Sequence, residues 1–498
     1  MFAVTYLGQQ GWLLASASTR ILIDPLLTDE YSAGFSAVIH PPRRISLAKL
    51  PPIDAVVLSH EHADHFNVPS LVALDRRIPV FFPERSAVVV RDVIERLGFR
   101  VTGTRPGDRF AIGDLELCCF IGEHAESDLE GEWACLQLLV TARDGSFFSY
   151  VDGRPSDSTV AEATRIAGRI GVFVHANNVM DWSVIEAGRF VEAGPPPSDL
   201  SYAAHLLQAE ATWWRDGAAP AATLVCGPGL AFVGDDTWMN QILTVDSERV
   251  CAALAAAAPA RSFHAPCPGE TFELVRGELA KKRPRSPFMA TRPRARWPSL
   301  TQARPRVLLE DYAPASHRTT LDEDGWARLF AELDHLAAFL YGRSLFRALH
   351  ALDARNLEGR RAAFALVLRA DADGSAYVCE YRTSASRFEL VDCERPADVY
   401  ALGLECWGTD LAAVFAGELM PQRLLGHARS WSFAPVPLSP LFAIWRFFDF
   451  VHRPTAGAAF YKALIARTPA PRTTVTASRA AISRYGKGDC KGSPTSWR

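Results

Sequence analysis

The chain has 498 residues, nearly half of them hydrophobic (48%), and carries a formal net charge of −3. That length exceeds what one ordinary core sustains, so two or three domains are expected, each apolar enough to bury its own core. The near-neutral balance offers no basic field for nucleic acid and no strong acidic field, which leaves a small molecule as the default substrate.

The ten cysteines are scattered without a Cys-x-x-Cys pair, so neither a disulfide framework nor a zinc ribbon is indicated and a reducing cytoplasm fits. Met1-Phe2-Ala3-Val4-Thr5-Tyr6 begins directly as a strand and lacks the basic and apolar regions of a signal peptide. The most apolar late run, Leu441 to Val451, is broken by Arg446 and Asp449 and is too short for a bilayer, so no membrane span is expected.

In chain order, Val4 to Leu14 and Arg20 to Pro25 read as two strands joined by a turn, with Gly8 and Gly11 marking close backbone turns. The short apolar run Asp54 to Leu58 then delivers Ser59-His60-Glu61-His62-Ala63-Asp64-His65. Imidazole and carboxylate donors grouped at the end of a buried strand are what borderline-soft divalent metals take. His60 and His62 lie two apart while Asp64 and His65 follow on the next turn of chain, so the two pairs can face different metals. Pro69 to Leu74 predicts a helix, Ile78 to Phe82 a strand and Ser86 to Leu97 a second helix, the alternation of a layered α/β domain. A further strand from Leu115 runs into Gly122-Glu123-His124. Ala134 to Thr141 and Ser146 to Val151 form a hairpin turned at Asp144-Gly145, and its second strand ends on Asp152 before Gly153.

The His-x-His-x-Asp-His pattern after a strand resembles the signature of the metallo-β-lactamase fold superfamily. The opening hairpin with Ile23-Asp24-Pro25 resembles its lactonase-like and sialic-acid-hydroxylase-like branches. The resemblance covers residues 1–280 and implies a four-layer αββα sandwich. It assigns His60, His62 and His124 to one metal and Asp64 and His65 to a second, bridged by Asp152. Asp24 is either a support behind these ligands or a turn cap. The chain departs from the pattern at Thr223-Leu224-Val225-Cys226-Gly227-Pro228-Gly229, where the last histidine is expected and none stands. His175, His264 or no final imidazole are the alternatives, and Cys226 reads as core.

Lys281 to Pro287 and Arg292 to Pro298 are basic and proline-rich, and residues 281–307 read as a linker. Residues 308–467 read as an α+β domain. It has a helix from Trp326 to Leu340, a hairpin from Ala362 to Arg382 around Asp371-Ala372-Asp373-Gly374, and a helix entered at Thr409 or Asp410 and stopped by Gly417. That order resembles sterol-carrier-like domains. His427, Trp431 and the cluster Trp445-Phe447-Phe448-Phe450 read as core or as homodimer contacts, and residues 468–498 as a disordered tail.

The function implied is metal-dependent hydrolysis of a small-molecule ester, lactone, amide or phosphoester. Two divalent ions, zinc first and iron second, would acidify a shared water to a hydroxide nucleophile, with Asp64 orienting it or shuttling a proton. The rival is an iron-dependent oxygenase resembling the sialic-acid hydroxylases. It would need an external reductase, because the chain has no Cys-x-His pair for a Rieske cluster. A binding module with a crippled site is the third reading, and the intact donor set argues against it. Trp182, Trp213, Trp214 and Trp238, within Asn177 to Met239, either wall a substrate pocket or pack in the core.

Overall fold

The computed structural model describes residues 1–29, 31, 36–124, 135–181, 186–187, 197–215, 219–293, 315–343, 357, 359–370, 375–382, 384–434, 440–448 and 453–479, apart from the side chains of 123, 124, 186, 187, 235 and 442. Its first sheet has eight strands. Phe2–Gly8, Gly11–Ala15 and Arg20–Ile23 form an antiparallel meander, which Ala55–Val57, Val80–Pro83 and Val101–Thr104 extend in parallel. Thr271–Val275 and Glu278–Arg283 close the opposite edge. A second sheet runs Gly153–Arg154, Leu115–His124, Cys135–Ala142, Gly145–Ser149, Val172–Ala176, Ala222–Cys226 and Phe263–His264, with Arg109–Ile112 paired beside Leu115.

Alternation along the strands decides how the sheets pack. Val4, Tyr6, Trp12, Leu14, Ile21 and Ile23 face one way and meet Leu117, Leu136, Leu138, Val140, Phe147 and Val172 of the second sheet. Trp12 and Phe147 touch with ring centroids 5.3 Å apart. Each such side chain contributes about 1.5–3 kcal/mol by leaving water. The intervening residues face helices. Leu22, Val56, Val80 and Phe82 pack on Val68–Val72 and Val88–Arg96, while Leu139, Phe148 and Phe173 pack on Asp157–Ala167. Helices Asp199–Trp213 and Ser247–Ala257 cover Val225. The result is the four-layer αββα arrangement, and strands covered on both faces read as unbroken apolar runs for that reason.

A third, six-stranded sheet is built from Arg361–Arg369, Ala376–Arg382, Arg387–Val391, Tyr400–Trp407 and Ala428–Ser432, with Glu186–Ala187 added from the first half of the chain. Helices Glu323–Tyr341, Gly408–Ala416 and Pro440–Phe447 cover one of its faces, and that core is continuous with Leu26, Ile39, Leu230, Phe232 and Met239. Phe447 and Phe448 are buried here and Trp445 packs against the same core, while Phe450 lies outside the described residues, as does the 371–374 turn. Gly417 ends its helix in the left-handed conformation (φ 73°) as expected. Asp410 does not cap that helix; it is buried and accepts from the backbone N–H groups of Ser316 and His317. No helix among the described residues is long and apolar enough to cross a membrane.

Two expectations are corrected. Within the anticipated linker, Lys281 to Arg283 belong to the edge strand Glu278–Arg283, and Met289–Thr291 pairs with Arg43–Ile45. A solvated edge strand tolerates the charged side chains that suggested a linker. The start of the anticipated tail is also ordered: Val475 and Ala477 bridge to Leu74 and Ile53 and are buried against the first sheet's helical layer, while residues 480–498 lie outside the described residues. Val475→Asp places a carboxylate in that apolar layer and is expected to lower unfolding stability by about 2–4 kcal/mol in urea titrations. An unchanged midpoint would contradict the docking of this segment.

Candidate metal centre

The histidine loop leaves the strand Ala55–Val57 and Asp152 follows the strand Gly145–Ser149, so the two sheets meet at their carboxyl ends around these residues. His60 Nε2 lies 3.2 Å from His62 Nδ1 and 3.3 Å from Asp152 Oδ2, and His65 Nε2 lies 2.9 Å from the same Asp152 oxygen. Asp64 Oδ2 is 3.5 Å from His65 Nε2. Among the described residues, three sets of donor atoms converge within 4.8 Å: His60, His62 and Asp152; Asp64, His65 and Asp152; and Asp24, His60 and His65. Asp152 therefore belongs to both the first and the second set.

The surroundings fix which nitrogen each ring presents. Asp24 Oδ2 is 2.9 Å from His65 Nδ1, and the same carboxylate accepts from the Ser59 hydroxyl (2.6 Å) and backbone N–H (2.8 Å). With Nδ1 tied to Asp24, His65 Nε2 faces the cluster, where it is buried 2.9 Å from Asp152 Oδ2. Ser59 Oγ likewise engages His60 Nδ1 at 2.8 Å and leaves Nε2 facing inward. Asp24 thus supports the donors from behind, the usual arrangement behind a metal-ligating imidazole.

The charges are strongly coupled. Burial works against the charge of Asp152, but His65 and His60 outweigh it and hold the carboxyl well below its usual range. Burial likewise opposes the His65 imidazolium, yet Asp152, Asp64 and Asp24 raise its pKa well above the ordinary value. Burial and then the His65 charge lower His60. Asp64 is lowered although burial opposes it, chiefly by His65.

Two residues without a motif of their own secure Asp64. Gln9 Nε2 donates to Asp64 Oδ2 at 3.0 Å and Tyr31 Oη donates to the same oxygen at 2.8 Å. Gln9 Oε1 accepts from Gly229 N–H at 2.8 Å, and a Cβ at Gly229 would stand 2.5 Å from Gln9 Cα. The stretch Thr223 to Gly229, where a last histidine was expected, therefore ends in a glycine that lets the Gln9 turn close onto Asp64. The signal available in the sequence was Gly8-Gln9-Gln10-Gly11; Gln9 itself sits at φ 53°. Tyr31 carried no spacing signal.

His175 is not among the converging donors. Its Nδ1 is 2.7 Å from the Tyr150 hydroxyl and its Nε2 is 2.8 Å from Glu210 Oε1, so both ring nitrogens are committed. Glu210 in turn pairs with Arg261. His264 stands on the edge strand, with Nε2 2.8 Å from Ser262 Oγ. Cys226 is core, its thiol pushed up by burial. His124 ends its strand with its backbone paired to Gly153, next to Asp152, but its side chain lies outside the described residues. Of the tryptophans, Trp214 is buried, Trp238 packs against the third sheet's core, Trp213 borders a cavity, and Trp182 lies outside the described residues.

Residues 19–151 match the family described as "Beta-lactamase superfamily domain". Over this stretch the chain is similar to that family. Uncharacterised proteins of Mycobacterium tuberculosis and Mycobacterium bovis are 39% identical over 86 residues, 16% of this chain and 23% of theirs, so the match spans less than a quarter of those relatives' length. Among solved structures, an isothiocyanate hydrolase from Delia radicum gut bacteria is similar at 15% identity and a TM-score of 0.39, covering 55% of this chain and 99% of that one. A possible metal-dependent hydrolase from Veillonella parvula is similar at 14% and 0.40, covering 55% and 100%. A diiron β-hydroxylase from Streptomyces venezuelae is similar at 18% and 0.36, covering 55% and 54%.

Asp152, Asp64 and Asp24 raise the His65 pKa well above its ordinary value, so an ion that took His65 Nε2 as a ligand would displace a proton. Zinc titrated calorimetrically into metal-free protein is expected to release protons, seen as heats that differ between buffers of different ionisation enthalpy, and to bind more weakly as pH falls. Heats independent of buffer would contradict this protonation state.

Proposed function

We propose that the chain is a metal-dependent hydrolase of a small-molecule ester, lactone, amide or phosphoester. His60, His62 and Asp152, joined by His124, would hold one divalent ion, and Asp64, His65 and Asp152 a second. The observation that carries this reading is the single Asp152 oxygen, 3.3 Å from His60 Nε2 and 2.9 Å from His65 Nε2. The buried His65 Nε2, turned to that same oxygen, fits the same reading, because an imidazole and a carboxylate buried and aimed at one point are donors that a divalent ion takes. Two imidazoles with a carboxylate, beside a carboxylate with an imidazole, form a nitrogen and oxygen set suited to zinc.

The chemistry that divalent ions supply in such a site is acidification of a water and polarisation of a carbonyl or phosphoryl oxygen. The chain's own groups complete it. Asp64 stays ionised, so it can accept a hydrogen bond from a water and orient it. Tyr31 remains a neutral donor, since burial and then the Asp64 charge raise its pKa. The thiol of Cys135, which feels the charges of Asp152 and His65, is pushed up to about 12 by burial, and Ser59 Oγ is tied to Asp24 and His60. No side chain of the cluster is therefore poised as a nucleophile, which leaves water in that role.

Metal content per chain tests the reading. Protein purified without added metal is expected to hold about two zinc ions, falling toward one in His62→Ala or His65→Ala and further in Asp152→Ala. Ester, lactone and phosphoester hydrolysis should fall at least about a hundredfold in Asp152→Ala. One iron per chain, unaffected by His65→Ala, together with oxygen consumption in the presence of a reductase, would replace this reading with the oxygenase.

A further inference from the structure

Outside the carboxyl ends of the second sheet's parallel strands, a cavity of about 830 Å³ opens between the turn Tyr150 to Pro155 and the helix Asp199–Trp213. Crevices at that edge of a parallel sheet are where α/β proteins bind ligands. This one shares a wall with the metal centre. Asp152 lines it, and Asn178, also in the wall, donates from Nδ2 to Asp152 Oδ1 at 2.7 Å. One oxygen of Asp152 is thus turned to the imidazoles and the other is held at the cavity.

The rest of the lining is amphipathic. Val179, Leu206 and Trp213 give it an apolar side. Its charged or titratable members, besides Asp152, are Asp157, Arg154, His205 and the phenols of Tyr150 and Tyr202. Asp157 Oδ1 accepts from Trp213 Nε1 at 3.0 Å, Tyr150 is bonded to His175, and Tyr202 donates to the Ala176 carbonyl at 2.9 Å. Arg154 differs: among the described residues no carboxylate forms an ion pair with it. A guanidinium that has no ion pair among the described residues, in the wall of a half-apolar cavity, is a ready partner for a carboxylate or phosphate, which it meets with two parallel hydrogen bonds.

We propose that this cavity selects an organic anion: a small ester, lactone, amide or phosphoester that also carries a carboxylate or phosphate. The negative group pairs with Arg154, the apolar body lies along Leu206 and Trp213, and the reacting bond is thereby brought beside Asp152. This rests on the hydrolase reading for the reaction but not for the anion site itself. Arg154 is exposed and its replacement leaves the core untouched.

The test is calorimetric binding of naphthalene-1-sulfonate, an aromatic anion that ligates metals poorly, to the full metal-loaded chain, with 1-naphthalenemethanol as the neutral control. Wild type should bind the sulfonate more tightly than the alcohol. Arg154→Gln should weaken sulfonate binding about tenfold or more, with metal content and alcohol binding unchanged, and Arg154→Lys should fall between. Equal binding of both probes by wild type, or sulfonate binding unaltered by Arg154→Gln, would overturn the proposal. Failure of the hydrolase reading looks different: a chain without two metal ions would still show binding of the sulfonate that depends on Arg154.

Discussion

The structure turns on a carboxylate that two buried imidazoles share. Placing Asp152 against His60 and His65 at the edge of an apolar core takes charge out of water, a cost of several kcal/mol unless opposite charge and hydrogen bonds return it. The return comes from both sheets at once. The first sheet delivers the histidines at the end of Ala55–Val57 and the second delivers Asp152 after Gly145–Ser149, so the core between the sheets sets the distance on which the centre depends. Asp24, from the end of the third strand, locks the register by holding His65 and Ser59 together.

A second layer of contacts reaches from the centre to the carboxy-terminal sheet. Tyr31, which donates to Asp64, is bonded through its backbone to the strand Ala37–Ile39, and that strand pairs with Leu230–Phe232. Just beyond lie Ser36 and Asp236, both held by the guanidinium of Arg423, with His427 Nε2 3.2 Å from the other Asp236 oxygen. Gly426 permits the approach, since a Cβ there would stand 2.9 Å from Met239 Sδ. Together with the continuous apolar core, this polar node makes the carboxy-terminal sheet a neighbour that braces the Asp64 side of the centre. His427 is explained by that node.

What could be read from the sequence follows from how local each signal is. The strands, the helices and the donor loop were legible because alternation, helical spacing and four donors within one loop are encoded by near neighbours. Asp152 was legible because it ends a hairpin strand. His175 ends a strand just as plainly, but whether such an imidazole faces the metal centre or the outer layer is decided by Tyr150 and Glu210, 25 and 35 residues away. Gln9 and Tyr31 carry an amide and a phenol, for which no spacing rule exists, and only the fold brings them to Asp64. The segments misread as linker and tail failed for one reason: an edge strand and a docked terminal segment owe their order to the surface they meet rather than to their own composition.

The most direct measurement is anomalous diffraction at the zinc edge from crystals of the zinc-loaded chain. Two peaks are expected, one beside His60 and His62 and one beside Asp64 and His65, with Asp152 in contact with both and no density at His175. A single peak that does not touch Asp152, or one seated between His175 and Glu210, would contradict it.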